Sequence, residues 1–523
     1  MFCALASAQQ HLVSGRDEVP HRGVYEVRLS AGGPVEDPYL GTQLQVTFTG
    51  PSGAQATVDG FYDGGDVFKA RAYARETGAW RWRSSSNHAA WNGQAGSFRV
   101  TPSDLKGKLR HPADPRQFAY DNGEWFLHIG DTGYRYVVAS EPHWRAYIDQ
   151  AAEMGATKIR TWFAQSRSNV EALFDEDRKG LALAYWQEID HRILYALNRH
   201  PHVILQLIPY AEDTEEIKRY AAGDRLARLV ASYAQARWSA LPNVQWTITN
   251  DREIVRGKPL MGRLVDWDMI DRMGRDMAAR EPWGTLISNH QMRFSGYDFV
   301  DASWSDFITL EDLDQVGGER ILEYRARRAQ PVVHDEDRYE LYRHPANRRY
   351  FFRRLMWASL LSGGHATYGG LRTYEPYDRT GTRGVSGYYD ANRAGLLFQG
   401  AHDFLHIHKF FRDSRLSLVR MTPDDALAGG NPRRWKCIRD DRTLIVYLAN
   451  PDGDRPPQDN PAVEKAWVAL NLPAGSYSVR WFDPKTGAWF DASDVEGGSR
   501  KFEAPSPAIS VSSEDWVLLL RRL

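Results

Sequence analysis

Cysteine is almost missing from this chain. Only Cys3 and Cys437 occur in 523 residues. Two thiols so far apart give neither a disulfide framework nor the paired spacing of a zinc site. An excess of one charge is missing too. Lys and Arg number 66 against 67 Asp and Glu, for a formal net charge of −1, which excludes the basic footprint a nucleic-acid partner requires. No apolar run reaches the roughly 18 residues of a membrane span. No Gly-rich phosphate loop follows the first strand of the central region, which removes the support for a dinucleotide fold. No Ser sits in a nucleophile elbow, and no short repeat or low-complexity tract is present. The residues suggest no metal and no cofactor.

Aromatic residues, by contrast, are abundant, with 18 Trp and 25 Tyr. They suit both sugar stacking and the cores of β-sandwiches. At this length two to four domains are expected. Residues 1–18 include Ala4-Leu-Ala-Ser-Ala8, which looks like the small-residue end of a signal peptide without its basic region, so a secreted or periplasmic location is expected. Residues 19–110 show short alternating strands such as Val24–Leu29 and Gln43–Phe48 between Gly/Pro turns, the pattern of a β-sandwich. Residues 111–412 alternate strands and helices. Strands are expected at 124–131, 156–162, 202–209, 244–249, 285–288, 306–310, 331–333 and 365–368, with helices at 141–154, 183–197, 224–238, 264–280, 318–328, 348–362 and 392–411. Eight strands in that order predict a central (β/α)8 barrel, with a doubly wound sheet as the alternative. Residues 413–523 return to strand patterns and predict a C-terminal β-sandwich, with a Pro- and Asp-rich loop at 451–461.

In such a barrel the C-terminal ends of the strands share one rim. Two stretches end there abruptly in charge: Val244-Gln-Trp-Thr-Ile-Thr-Asn-Asp251 and Pro331-Val-Val-His-Asp-Glu336. The full rim set is Asp131, Arg160, Trp162, Tyr210, Asn250, Asp251, His290, Glu311, His334, Asp335, Glu336 and Tyr368. Carboxylates, aromatics and a few His and Arg suit hydrolysis of a glycosidic bond, which needs one acid on the leaving oxygen and a carboxylate opposite. Alternation along the strand sends Asp335 and Glu336 to opposite faces. Glu336 is the one expected in the cleft, with Asp335 paired to a neighbouring Arg or Lys. His402 and His406 are one turn apart but lack the Glu of a zinc-protease helix.

The segments Phe126-Leu-His-Ile-Gly-Asp-Thr132, Asn243–Asp251, Pro331–Glu336 and Arg353–Gly369 resemble the apiosidase-type glycoside hydrolases, within the wider group of retaining barrel glycosidases. The resemblance implies an acid/base at Asp251 and a nucleophile at Glu336. It also implies that Asn250 bonds the hydroxyl beside the reacting carbon and that Arg160 holds the nucleophile ionised. The wider group carries Asn-Glu where this chain has Asn250-Asp251, which leaves Glu253 as a rival acid. Asp131, Trp162, Tyr210, His290, His334 and Tyr368 complete the expected substrate-binding set, in an exo-acting enzyme on a plant or bacterial glycan. The competing readings are a non-catalytic carbohydrate-binding protein and a polysaccharide lyase using Tyr339 and Arg338. The loop from Thr373 to Asp390, with Arg379 and Arg383, is expected to shape specificity.

Overall fold

The computed structural model describes residues 12–138, 144–163, 170–256, 264–340, 345–369, 400–428, 435–449, 466–505 and 515–523. The signal-like start, the loop 373–390 and the loop 451–461 lie outside them.

The N-terminal domain is built from a four-stranded and a five-stranded sheet. Strand Val24–Ser30 alternates buried and open positions, as does Leu44–Thr49, so each sheet turns one apolar face inward. Tyr25 of one sheet stacks on Phe98 of the other at 3.8 Å.

The central domain carries eight parallel strands: β1 (Ile129–Thr132), β2 (Lys158–Trp162), β3 (Ile204–Ile208), β4 (Val244–Thr247), β5 (Ile287–Ser288), β6 (Ile308–Glu311), β7 (Val332–Glu336) and β8 (His365–Tyr368). Their order is β5-β4-β3-β2-β1-β8-β7-β6. The backbone amide of Asp306, just before β6, donates to Ile287 of β5 at 2.8 Å and brings the two ends of the sheet together. The helices are α1 (Trp144–Glu153), α2 (Leu183–Arg199), α3 (Thr214–Ala222), α4 (Arg225–Trp238), α5 (Trp267–Ala279), α6 (Glu319–Arg327), α7 (Arg348–Leu361) and α8 (Phe404–Ser414). This is the (β/α)8 barrel the sequence predicts.

The first barrel strand, expected over 124–131, is Ile129–Thr132, the seventh runs on to Glu336, and two helix boundaries also differ from expectation. The helix expected from residue 264 begins at Trp267. Leu264–Asp266 instead pairs as a strand with Glu253–Val255, and Asp266 caps the helix by accepting from the amide of Asp268 at 2.9 Å. The last helix, expected over 392–411, is described from Phe404 and runs on to Ser414.

The barrel interior is polar and internally paired. Lys158 of β2 donates to Asp335 of β7, and Gln206 and Thr367 add bonds to the same carboxylate at 2.9 and 2.5 Å. Burial pushes Lys158 down to about 8 against the pull of Asp335. Gly130 of β1 is required here: a Cβ at that position would lie 2.4 Å from Thr367 Oγ1.

The C-terminal domain is a six-stranded antiparallel sheet. Its longest hairpin, Trp467–Asp483 with Ala488–Glu503, is broken by irregularities at Leu472/Ser476 and Tyr477/Val479. Val468, Leu470 and Phe502, beyond those breaks, share one buried cluster with Val446, Leu518 and Trp481. The folded-over sheet thereby makes its own second layer.

Both flanking domains are tied to the barrel by buried charge. Arg71 of the N-terminal domain grips Asp190 of α2 with two bonds of 2.8 and 3.0 Å. Burial opposes the Asp190 charge, but Arg71 and Arg237 hold its pKa well below the usual carboxylate range. Arg353 of α7 bonds Asp515 at 2.9 Å and Asp403 at 2.7 Å, and Tyr447 donates to Asp515 at 2.7 Å.

Candidate active site

The tips of β2, β4, β6 and β7 and the loop after β1 converge on one group of side chains. Glu336 ends β7. Its Oε2 accepts a hydrogen bond from Arg160 of β2 and one from Tyr134, which follows β1, at 2.8 Å. Tyr134 also receives Arg160 at 2.5 Å and the amide of Asn250 at 3.3 Å. Trp162, two residues beyond Arg160, stacks on the Tyr134 ring at 4.2 Å and is fully buried. It therefore backs Tyr134 rather than offering a platform to a sugar. Burial works against the Arg160 cation, yet Tyr134, Glu336 and Asp335 hold its pKa well above that of an ordinary arginine.

Asp251 follows β4 with a left-handed backbone, φ 47°, a conformation Asp tolerates better than most residues. Arg252 clamps this turn by donating to the Asn250 carbonyl at 3.1 Å and to Thr214 at 2.7 Å. The Asp251 carboxylate lies 3.2 Å from His290 Nδ1 and within 4.8 Å of a carboxyl oxygen of Glu311 at the end of β6. Arg293 holds Oε1 of Glu311 at 2.9 Å. Burial opposes ionisation of Asp251, but His290 and then Arg160 keep its pKa well below normal. Burial and the Asp251 and Glu336 charges push Glu311 well above normal. Burial and the neighbouring charges therefore favour a proton on Glu311 over one on Asp251.

One atom each from Asp251, His290, Glu311 and Glu336 falls within a mutual 4.8 Å. This donor set has the chemistry of a cation site. A cation there would compete with Arg160, which already balances Glu336, and with the proton favoured on Glu311.

A bulge aims Glu336. Leu310 pairs with His334 and Glu311 with Glu336, which leaves Asp335 as the extra residue. Consecutive side chains Asp335 and Glu336 consequently meet Lys158 and Arg160, two positions apart on one face of β2. Simple alternation would have sent them to opposite faces; the bulge corrects that expectation. The expected pairing of Asp335 with a cation is the Lys158 contact.

Of the residues expected at the rim, Arg160, Asn250, Asp251, His290, Glu311 and Glu336 come together, with Trp162 behind them. Four others do not join the group. Asp131 accepts from Tyr147 of α1 at 2.7 Å. Tyr210 donates to the Ala227 carbonyl of α4 at 2.8 Å. His334 lies 3.0 Å from Asp337. Tyr368 is wedged edge-on between Phe352 of α7 and Phe404 of α8. All four are buried, so these positions serve packing and loop anchoring. Glu253, the rival acid, is exposed on the small Glu253–Val255 strand.

Two neighbours escaped the sequence reading. Tyr134 lies in a loop, where no periodicity marks it. Phe294 sits in a left-handed conformation, is 68% exposed, and bonds its amide to the Glu311 carbonyl at 3.1 Å. The Arg293 guanidinium lies over its ring, 5.9 Å from the centroid.

A (β/α)8 barrel presenting paired carboxylates, a buried arginine and aromatics at its C-terminal rim is the layout of a glycoside hydrolase. Residues 113–417 match the family model of the apiosidase-like catalytic domain. Residues 18–87 match a domain of unknown function, DUF5060, and residues 464–521 a candidate collagen-binding domain of a collagenase. No curated protein matches the chain. Among solved structures, a candidate glycoside hydrolase from Bacteroides vulgatus ATCC 8482 is similar over 97% of this chain and 100% of its own, at 17% identity and a TM-score of 0.69. A glycoside hydrolase family 5 protein from the same organism is similar over 80% and 93%, at 16% identity and a TM-score of 0.62. The chain belongs to the apiosidase-like family and is a glycoside hydrolase.

Proposed function

We propose that the chain cleaves its glycan with retention of configuration, with Glu336 as nucleophile and Asp251 as acid/base. The spacing carries this reading. The nearest oxygens of the two carboxyls lie no more than 4.8 Å apart, in keeping with the roughly 5–5.5 Å of retaining enzymes and short of the roughly 6.5–9.5 Å that an inverting pair needs for its water.

Glu336 attacks the anomeric carbon through the oxygen that Arg160 and Tyr134 leave unbonded. The C–O bond to the leaving group breaks, and Asp251 delivers a proton to the departing oxygen. That proton comes from the pair: as the glycosidic oxygen approaches, it moves from Glu311 onto Asp251. In the second half Asp251 takes a proton from water, and the water displaces Glu336. Asn250, held at Tyr134, is placed to meet the hydroxyl beside the reacting carbon.

A screen of aryl glycosides and polysaccharides finds the substrate, and two variants test the roles. With Glu336→Gln or Glu336→Ala, azide should attack the substrate directly and give a glycosyl azide of inverted configuration. With Asp251→Ala, azide should attack the glycosyl-enzyme and give the retained product. Full activity in either variant, or an inverted product from the wild type by NMR, refutes the assignment.

A further inference from the structure

The N-terminal domain carries a second concave site, remote from the carboxylates, where its surface meets helix α4. The cavity is about 460 Å³, within the roughly 300–1,000 Å³ typical of small-ligand sites. Three tyrosines form an aromatic corner. Tyr39 stands at 88° to Tyr62, with centroids 5.3 Å apart, and at 66° to Tyr233 of α4, at 5.9 Å. Tyr39 and Tyr62 are only partly buried, so parts of their rings face the cavity.

Polar side chains also line the cavity. Gln45 donates to Asp59 across two paired strands at 3.0 Å, which fixes both groups and leaves an amide oxygen and a carboxylate oxygen without a protein bond among the described residues. Gln43 is anchored by its backbone to Asn87 at 2.9 Å, and its side-chain amide makes no bond among the described residues. The Tyr39 hydroxyl is buried without a hydrogen-bond partner.

The chemistry points to one ligand class. Ring faces take the C–H surface of a sugar, while fixed amide and carboxylate groups take its hydroxyls. Asp59 is the one charged residue among those forming the cavity, and no Lys or Arg is there to meet an acid. We propose that this cavity binds a neutral saccharide unit and anchors the enzyme to a glycan chain away from the point of cleavage. The inference does not depend on the roles given to Asp251 and Glu336.

The test is affinity electrophoresis of the full chain in gels containing galactan, arabinan or xyloglucan, with polygalacturonate as the acidic control. Glu336→Gln serves as the background so that the polymer stays intact. Retardation is expected in at least one neutral polymer. Gln45→Ala and Tyr62→Ala should each weaken it about tenfold, the effect of about 1.4 kcal/mol. In the wild-type background the same changes should leave kcat/KM on a small aryl glycoside unchanged. Gln45 is exposed, so its variant keeps the test valid if Tyr62→Ala fails to fold. Absence of retardation in every neutral polymer, or retardation unaffected by Gln45→Ala, overturns the proposal.

Discussion

Asp251 and Glu311 sit side by side at the tips of β4 and β6, with carboxyl oxygens within 4.8 Å of each other. Two buried acids at that separation cannot both ionise freely. Replacing Glu311 by Gln removes the group on which the proton rests, while Asp251 keeps His290 beside it. The basic limb of the kcat/KM profile should move to lower pH. Substrates with poor leaving groups, which need protonation, should lose more rate than activated aryl glycosides. An unmoved pH profile counts against a proton held on Glu311.

Tyr134 links Glu336, Arg160 and Asn250 through one hydroxyl. Tyr134→Phe keeps the ring on Trp162 and deletes the bonds. A hydrogen bond to a charged group contributes roughly 1.5–3 kcal/mol, so kcat/KM should fall roughly 10- to 150-fold. The melting temperature should stay within a few degrees. An equal loss of stability would mark the hydroxyl as structural.

Phe294 should act on binding more than on chemistry. Phe294→Ala removes an exposed ring beside Glu311. KM for an oligosaccharide should rise about fivefold with kcat little changed, as expected from losing about 1 kcal/mol of aromatic contact. A fall in kcat at constant KM would contradict that role.

His365 is buried against His128 and Phe118. Burial, helped by Arg325, pushes it down to about 3. Between pH 6.5 and 3 the unfolded chain therefore binds a proton that the folded chain does not, and stability drops as pH falls through that window. The full shift corresponds to something on the order of 5 kcal/mol. His365→Phe should flatten this acid limb in denaturation experiments run from pH 7 to pH 4. An unchanged slope would show that other groups govern it.

Arg353 faces Asp515 and Asp403, with all three side chains buried. Arg353→Ala leaves Asp515 buried without its cation, while Asp403 keeps Arg349 at 2.7 Å, and should cost roughly 3–5 kcal/mol. Arg353→Met combined with Asp515→Leu should recover much of that loss in urea melts. No recovery would mean the arginine's shape, not its charge, is what matters.

The layout of the barrel was readable because buried parallel strands are short apolar runs and the helices between them repeat at their own period. Asp251 and Glu336 were readable because each ends such a run in charge. What failed was anything set by side rather than position. Tyr368 and Tyr210 lie at strand ends, where position alone predicts rim residues. Yet Thr367 takes the inward position and reaches Asp335, while Tyr368 turns outward among helices. The bulge at Asp335 left no mark in the sequence, since nothing local reveals that Lys158, 177 positions away, will take its charge. Tyr134 and Phe294 depend on loop geometry, which composition does not encode.

The buried arginine clasps at Asp190 and Asp515 also bear on how the enzyme can be cut down. Trimming the chain to its barrel would leave Asp190 without Arg71, and Arg353 without Asp515. A minimal catalytic fragment would turn to water two charged faces that the full chain pairs and covers. The natural unit for expression, engineering or domain exchange is accordingly the whole three-part body, and any graft that swaps one part must carry both halves of its clasp.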